Sequence, residues 1–397
     1  MSIKIKENII KQKNTDIEQS YNNFLPDINF TYGITANSKN DNSFSKYLSS
    51  IPSPNNPSFS KNLSINLPIF LGGKRFDLIK ISKTNKEISE YDLNILLLEL
   101  KSRAIALFIK AYNSQNQLKI LNESLKLAHK NYENAKILKS VGKMVKVDLL
   151  TFKLSLEERK TAIKNIKTEQ ENTFIEMSSL INHDIKVSML NINKKIPVNI
   201  IKMDKVTLGE YYFLIMQKNS PVIKKSEQYY KLSKYNVNLS RKNYYPDILL
   251  KYNYSPYTEN SWEFPFEKGH SLSLLLNFNI FNSFRDSSDY KKKKIDLINT
   301  ELQLHEIIKN QKYAIKKAVN ILKNSLSQIK SVKLALKLSK EKLEQIKIGY
   351  KQGKYNYLDM MKAENDWLLK ENNVLNLEMQ IYNSYYQLEI ISGNLKE

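Results

Sequence analysis

The chain has 397 residues, 41% of them hydrophobic, with no cysteine and a formal net charge of +22. That hydrophobic content excludes wholesale disorder, and the length allows one large unit or two to three ordinary domains. The lack of cysteine excludes disulfides and thiolate metal sites and fits an oxidising compartment, where a stray thiol is a liability.

The positive charge permits binding to nucleic acid or anionic lipid. Lysine is abundant along the whole chain, however, which reads as compositional bias rather than a dedicated basic surface. The opening Met1 to Glu7 lacks the apolar core of a secretory signal. The strongest apolar run, Ile95 to Leu98, is far short of the roughly 20 residues of a membrane-crossing helix.

Taken in chain order, a short helix precedes Pro26-Asp27, and a strand follows near 26–36. It alternates Ile28, Phe30, Tyr32 and Ile34 with Asn29, Thr31, Gly33 and Thr35. An irregular loop, Asn37 to Ser60, carries Asn40, Asp41, Pro52, Pro54 and Pro57. A second strand near 61–71 sets Leu63, Ile65, Leu67 and Ile69 against Ser64, Asn66 and Pro68. Period-two alternation gives each strand one apolar and one polar face.

From 74 to 140 there is no proline, and glycine is absent from Lys74 through Val141. Such a helix is about 100 Å long, more than an ordinary globular domain needs. Ala104, Leu107, Phe108, Ala111, Leu118, Leu121, Leu125 and Ala128 supply its packing stripe. A glycine turn, Val141-Gly142-Lys143, ends it, and a return helix near 147–182 begins with Asp148, where an acid favours a helix start.

The order then repeats. A helix near 207–242 runs past Pro221, and strands near 246–255 and 270–281 flank the loop Ser255 to Gly269. A long helix near 285–349 reaches the turn Gln352-Gly353-Lys354, and a return helix near 357–392 carries Asp359. Ile69-Phe70 recurs as Ile280-Phe281, Gly142-Lys143 as Gly353-Lys354, and Asp148 as Asp359, always at an offset of 211 (280 − 69, 353 − 142, 359 − 148). Residues 1–197 and 198–397 are therefore read as two tandem repeats. Pro26-Asp27 matches Pro246-Asp247 at an offset of 220, so Met1 corresponds to Pro221 and the first half lacks a counterpart of Thr207 to Ser220. The expectation is an N-terminally incomplete first repeat, with a signal peptide in the missing part.

The apolar strand faces suit either a soluble sheet or lipid. Their length of about ten residues matches membrane-crossing strands. Tyr244, Tyr245, Trp262, Phe264 and Phe266 would suit an interfacial girdle. Open sheet edges are not tolerated in hydrocarbon, and four strands cannot close. A lipid-spanning version therefore requires several copies, and three copies give twelve strands.

This arrangement resembles the TolC-like outer membrane efflux protein family. The carrying residues are Leu67 to Arg75 at the strand-to-helix exit, and Gly349-Tyr350-Lys351-Gln352-Gly353-Lys354 with Leu358-Asp359 at the second tip. The endings Leu180-Ile181-Asn182 and Ile390 to Leu395 also fit. The resemblance implies a mainly α fold with a membrane β-barrel portion. Four strands per chain contribute to a homotrimeric twelve-stranded barrel in the outer membrane, and the long helices form a tunnel through the periplasm. It further implies a periplasmic adaptor (membrane fusion) protein and an inner-membrane pump or ABC exporter as partners, with no cofactor and no nucleic acid. The adaptor would dock at Val141, Gly142, Lys143, Gln352, Gly353 and Lys354.

The family's closed tunnel mouth uses a tyrosine, an arginine and two aspartates, which map by position to Tyr350, Tyr355, Asp359 and Lys362. Only the tyrosine and the first aspartate match. Three copies of Asp359 would make an acidic ring, with Asp148 its equivalent in the first repeat. Lys362 would neutralise Asp359 through an i,i+3 pair. Helix capping is the competing role for both aspartates. An enzyme is disfavoured, because His129, His183, His270 and His305 are scattered and Gly72-Gly73-Lys74-Arg75 lacks the phosphate-loop spacing. A basic coiled-coil scaffold or nucleic-acid binder is the alternative, and it leaves the strands unexplained.

Overall fold

The computed structural model describes residues 2–36, 57–183, 204–258 and 269–394. Most of the first hairpin loop, the boundary at 197/198, and Trp262, Phe264, Phe266 and Leu395 lie outside them. In chain order the elements are α1 (Ser2–Asn22), β1 (Asp27–Ala36), β2 (Pro57–Leu71), α2 (Lys74–Ser140), α3 (Lys146–Ile181), α4 (Lys205–Asn219) and α5 (Pro221–Arg241). A 3-10 turn at Lys242–Tyr244 leads into β3 (Asp247–Tyr254), β4 (Tyr257–Thr258), β5 (His270–Asn277), α6 (Arg285–Lys351) and α7 (Tyr357–Ser392).

The repeat holds in three dimensions. α2 and α6 each have 67 residues, and α3 and α7 each have 36. All their bounds are displaced by 211 (285 − 74, 351 − 140, 357 − 146, 392 − 181). α1 and α5 have 21 residues each. The compact units nevertheless draw on both repeats: one joins Met1–Leu93 to Lys224–Glu306, the other Asn94–Ile223 to Ile307–Glu397.

In the first unit the strands form one antiparallel sheet in the order β1-β2-β3-β5, with the two-residue β4 on β2. The register keeps the two faces separate across all four main strands. Ile28 lies opposite Ile65, Ile65 opposite Tyr252, and Tyr252 opposite Leu272. The next row, Asn29, Ser64, Asn253 and Ser271, is polar throughout. Paired residues share a face, so the sheet has a mainly apolar side, with Lys61 opposite Tyr32 on it, and a mainly polar side that carries the row Pro68, Leu249 and Leu275. Ile28, Phe30, Ile34, Leu272, Leu274 and Leu276 are all exposed in the single chain. No helix among the described residues is long and apolar enough to cross a membrane.

Three expected boundaries are corrected. The second strand, expected from 61 after a loop that included Pro57, begins at Pro57, where residues 57–60 pair with Gly33 to Ala36. The helix expected to run from 207 to 242 is broken at Ser220, which is extended (ψ 117°). Pro221 has no N–H and disfavours a helical residue before it, so it opens α5 rather than continuing α4. The fourth strand stops at Asn277 instead of reaching 281. Its partner β3 begins at Asp247, opposite Asn277, and Pro246 before it carries no N–H. Among the described residues Phe278 to Phe281 have no strand to pair with, and Ile280 is 87% exposed.

At the strand-to-helix corner, Gly72 and Gly73 both take positive φ (58° and 77°). A Cβ at Gly72 would lie 2.9 Å from the Lys242 carbonyl oxygen. Lys242 closes the corner, donating to the Gly73 carbonyl (2.8 Å) and pairing with Asp77 (2.6 Å). The two glycines thus form a pinned corner between sheet and helix.

In the second unit α4 packs Leu208, Tyr212 and Met216 against Ile315, Val319 and Leu322 of α6 and Leu377, Ile381 and Leu388 of α7. Part of the expected α2 stripe is buried as well: Leu107 and Ala111 meet Phe174 and Met177 of α3.

Candidate functional site

Both helix-to-helix turns lie in the second unit and close with the same hydrogen bonds. At the first, Gly142 N–H donates to the Lys139 carbonyl (3.1 Å) and Lys143 N–H to Leu138 (2.9 Å). At the second, Gly353 N–H donates to Tyr350 (3.1 Å) and Lys354 N–H to Gly349 (2.8 Å). This 6→1 and 5→2 pairing is a Schellman cap, and it needs a left-handed residue. Gly142 (φ 72°) and Gly353 (φ 73°) supply it, and neither would bring a Cβ within 4 Å of another group. Backbone conformation alone selects glycine there, which leaves Val141, Lys143, Gln352 and Lys354 exposed.

The returns differ. Asn356 caps α7 through a reciprocal pair: its side chain accepts from Asp359 N–H (2.9 Å), and the Asp359 carboxylate accepts from Asn356 N–H (3.1 Å). At the first tip Val145 holds the same position and offers no side-chain cap. Asp148 is exposed and lies near Tyr350 instead. Burial, and then that carboxylate, push the Tyr350 phenol above its ordinary pKa.

The ion pair expected between Lys362 and Asp359 does not form. Asp359 is committed to its own helix start, and Lys362 is exposed with no ion pair among the described residues. Tyr355 folds back on its own repeat, and a Cβ at Gly349 would lie 2.7 Å from its Cε2.

A shared core fixes the two tips side by side. Ala135, Phe152, Leu343, Ile346, Met360 and Ala363 are buried together, with Met144, Tyr350, Tyr357 and Trp367 packed around them. The Phe152 and Tyr357 rings lie 3.4 Å apart, centroid to centroid. Into this core the sequence inserts a carboxylate that periodicity did not single out. Glu364 is only 9% exposed and accepts from the Asn131 side-chain amide at 2.9 Å. The available signal was a glutamate interrupting the apolar face formed by Met360, Ala363 and Trp367.

Burial pushes the Glu364 pKa above its ordinary 4.5, while the Asn131 hydrogen bond and the charges of Lys347 and Arg159 pull partly back. Two turns earlier on the same helix, the Tyr357 phenol is pushed up to about 12 by burial and then by the Glu364 charge. A raised folded pKa means that the stabilisation is complete below the unfolded value and is lost as pH rises through the folded one. Glu364→Gln keeps an acceptor for Asn131 and removes the charge. It should therefore raise the thermal midpoint at neutral pH and leave it unchanged below pH 4.5. Equal midpoint shifts at both pH values would contradict this assignment.

The model of the outer membrane efflux protein family matches residues 8–183 and 215–394. The chain belongs to that family. The fold of this efflux protein is shared with solved channel structures at low identity. The CusC structure superposes with a TM-score of 0.83 at 15% identity, covering 99% of this chain and 89% of that one. The Campylobacter jejuni CmeC outer membrane channel gives 0.80 at 16% identity, covering 100% and 84%. The open state of the Neisseria gonorrhoeae MtrE channel gives 0.78 at 15% identity, covering 100% and 87%. No curated protein matches the efflux protein by sequence. The efflux protein thus has a mostly helical fold of two tandem repeats with four main antiparallel strands, and an efflux-channel role follows from its family.

Proposed function

We propose that three copies of this chain close a twelve-stranded barrel in the outer membrane and continue as a helical tunnel across the periplasm. In this reading the channel exports cargo delivered by an inner-membrane pump through a periplasmic adaptor. The observation that carries the proposal is the sheet. Among the described residues β1 and β5 are its edges, each hydrogen-bonded on one side only, and their apolar residues are exposed while those of β2 and β3 are mostly half-buried. Exposed edges are tolerated in hydrocarbon only when they close on other strands. The unpaired Phe278 to Phe281 would pair with β1 of the next copy.

The tip residues Val141, Gly142, Lys143, Gln352, Gly353 and Lys354 are proposed to dock the adaptor, because rigid caps hold them while they remain exposed. Asp359, Asp148, Tyr350, Tyr355 and Lys362 are proposed to line the tunnel mouth. With Lys362 unpaired, each copy would bring one free cation to a mouth holding two acids, which weakens cation selectivity.

One preparation tests the assembly. Detergent-extracted protein from outer membranes should have the mass of three 46.4 kDa chains. It should also crosslink to its adaptor through photoreactive groups placed at 143 and 354. A monomer in detergent would overturn the barrel, and crosslinks confined to positions remote from the tips would overturn the docking.

A further inference from the structure

We propose that Lys291, Lys292, Lys293 and Lys294 anchor anionic phospholipid headgroups on the helix-bearing side of the membrane. The proposal rests on reading the sheet as a lipid-facing barrel wall. It goes beyond the even spread of lysine along the chain, because position and partners set this cluster apart.

All four passages between sheet and helices occur at one end of the sheet: Asn22 to Asp27, Leu71 to Lys74, Arg241 to Asp247, and Asn277 to Arg285. The first turns of α6 therefore begin where the apolar strand face ends. Aromatic side chains mark that level, with Phe76, Tyr244, Tyr245, Phe281 and Phe284 all exposed. Such rings favour the boundary between hydrocarbon and water. At 1.5 Å per residue, the lysines start roughly 9 Å beyond the head of α6. That is about one Debye length at physiological salt, and the flexible stems can reach back toward the surface.

Apart from Arg285, which is exposed at the head of α6, the cations nearest the sheet are already engaged. Lys74 pairs with Asp247 (3.6 Å) and Lys242 with Asp77 (2.6 Å). Arg75 is buried and donates to the Pro68 carbonyl, and Arg241 lies over the Tyr290 ring at 5.5 Å. Lys294 covers the same ring at 5.1 Å. Lys291, Lys292 and Lys293 have no ion-pair partner among the described residues. Asp289 and Asp296 lie one turn from Lys293 and Lys292 without pairing, and Asp286 is held by Asn282.

Four consecutive helical residues, about 100° apart, span most of the helix circumference. Whichever faces neighbouring helices cover, at least one ammonium points outward. Like charges this close repel one another, and an anionic surface removes that cost. Each lysine near such a surface is worth roughly a fivefold gain in association.

The test uses the full-length protein in nanodiscs of phosphatidylcholine alone and of phosphatidylcholine mixed with phosphatidylglycerol. Native mass spectrometry reads the retained lipids, at low and high salt. The wild type should retain phosphatidylglycerol preferentially at low salt. K291Q/K292Q/K293Q/K294Q should lose roughly tenfold or more of that preference while still inserting. Glutamine keeps helix propensity, and circular dichroism checks folding. K309Q/K317Q/K330Q/K340Q removes equal charge further along α6 and should change nothing.

A wild type that inserts into neutral bilayers but shows no preference overturns this inference and leaves the barrel intact, as would a surface serving an acidic protein. An equal loss in the control variant overturns it too. Failure to enter either bilayer would overturn the barrel reading and this inference with it.

Discussion

Leu274→Arg is expected to abolish trimer assembly in the outer membrane, whereas Ser271→Arg on the same strand should be tolerated. Leu274 lies opposite Leu250, which in turn faces Leu67, so the substitution would put a guanidinium at the edge of an all-leucine row. Ser271 belongs to the polar row with Asn253, Ser64 and Asn29. An arginine near the bilayer midplane on the lipid face costs about 2–4 kcal/mol. The proposed assembly would incur that cost once in each of three copies. Domains with marginal stability do not absorb such a sum. The readout is the fraction of protein recovered as heat-dissociable trimer from outer membranes. Equal trimer yields from the two variants would show that the apolar face does not meet lipid.

Tyr212→Phe is expected to destabilise the α4–α6–α7 packing by roughly 1.5–3 kcal/mol, the value of a buried hydrogen bond to a charged group. Tyr212 is 0% exposed, and its hydroxyl donates to Glu389 Oε1 at 2.6 Å. The Asn394 amide donates to Oε2 at 2.9 Å. Burial, and then the bond to Glu389, raise the Tyr212 pKa, so the phenol remains a donor at any physiological pH. Phenylalanine preserves the ring and its packing but leaves one carboxylate oxygen without that donor at a residue only 9% exposed. Tyr385, pushed up to about 12 by burial and by Glu389, lies beside the same carboxylate and can take over part of the role. The double variant Tyr212→Phe/Tyr385→Phe should therefore lose more than the sum of the single variants. Thermal unfolding in detergent measures both quantities. A Tyr212→Phe midpoint indistinguishable from wild type would remove this network from the account of stability.

How much was legible depended on the range of the signal. Helix bounds at Lys74, Ser140, Lys146 and Ile181, with their copies 211 residues on, follow from local facts: no proline, a glycine that tolerates positive φ, and an acid in the first turn. The strands were equally readable, because alternation is a property of neighbouring residues. Errors arose where a partner decided. Two local signals were misread: the break at Ser220, because Pro221 acts on the residue before it, and Pro57, which opens β2 rather than belonging to the loop. β5 ends at Asn277 because its neighbour ends there, which no pattern within residues 270–281 reveals. Lys362 makes no pair with Asp359, whose carboxylate instead accepts from the Asn356 backbone N–H. Glu364 and Asn131 are 233 residues apart, and Tyr212 and Glu389 are 177 apart. Neither pairing leaves a trace in spacing.

The sequence by itself determined the repeat, the helix lengths, the glycine turns and the two-faced strands, since each depends on backbone preference or on a period of 2 or 3.6 residues. It also carried the motifs that mark the family. Only the tertiary structure decided the sheet order and register, and which carboxylates are buried. It also decided that Asp359 caps its helix and that Lys291 to Lys293 have no ion-pair partner among the described residues, close to exposed aromatic side chains. The physical reason is common to all of these. Pairing, burial and charge compensation depend on residues brought together from distant parts of the chain, and they are fixed only when the whole chain has packed.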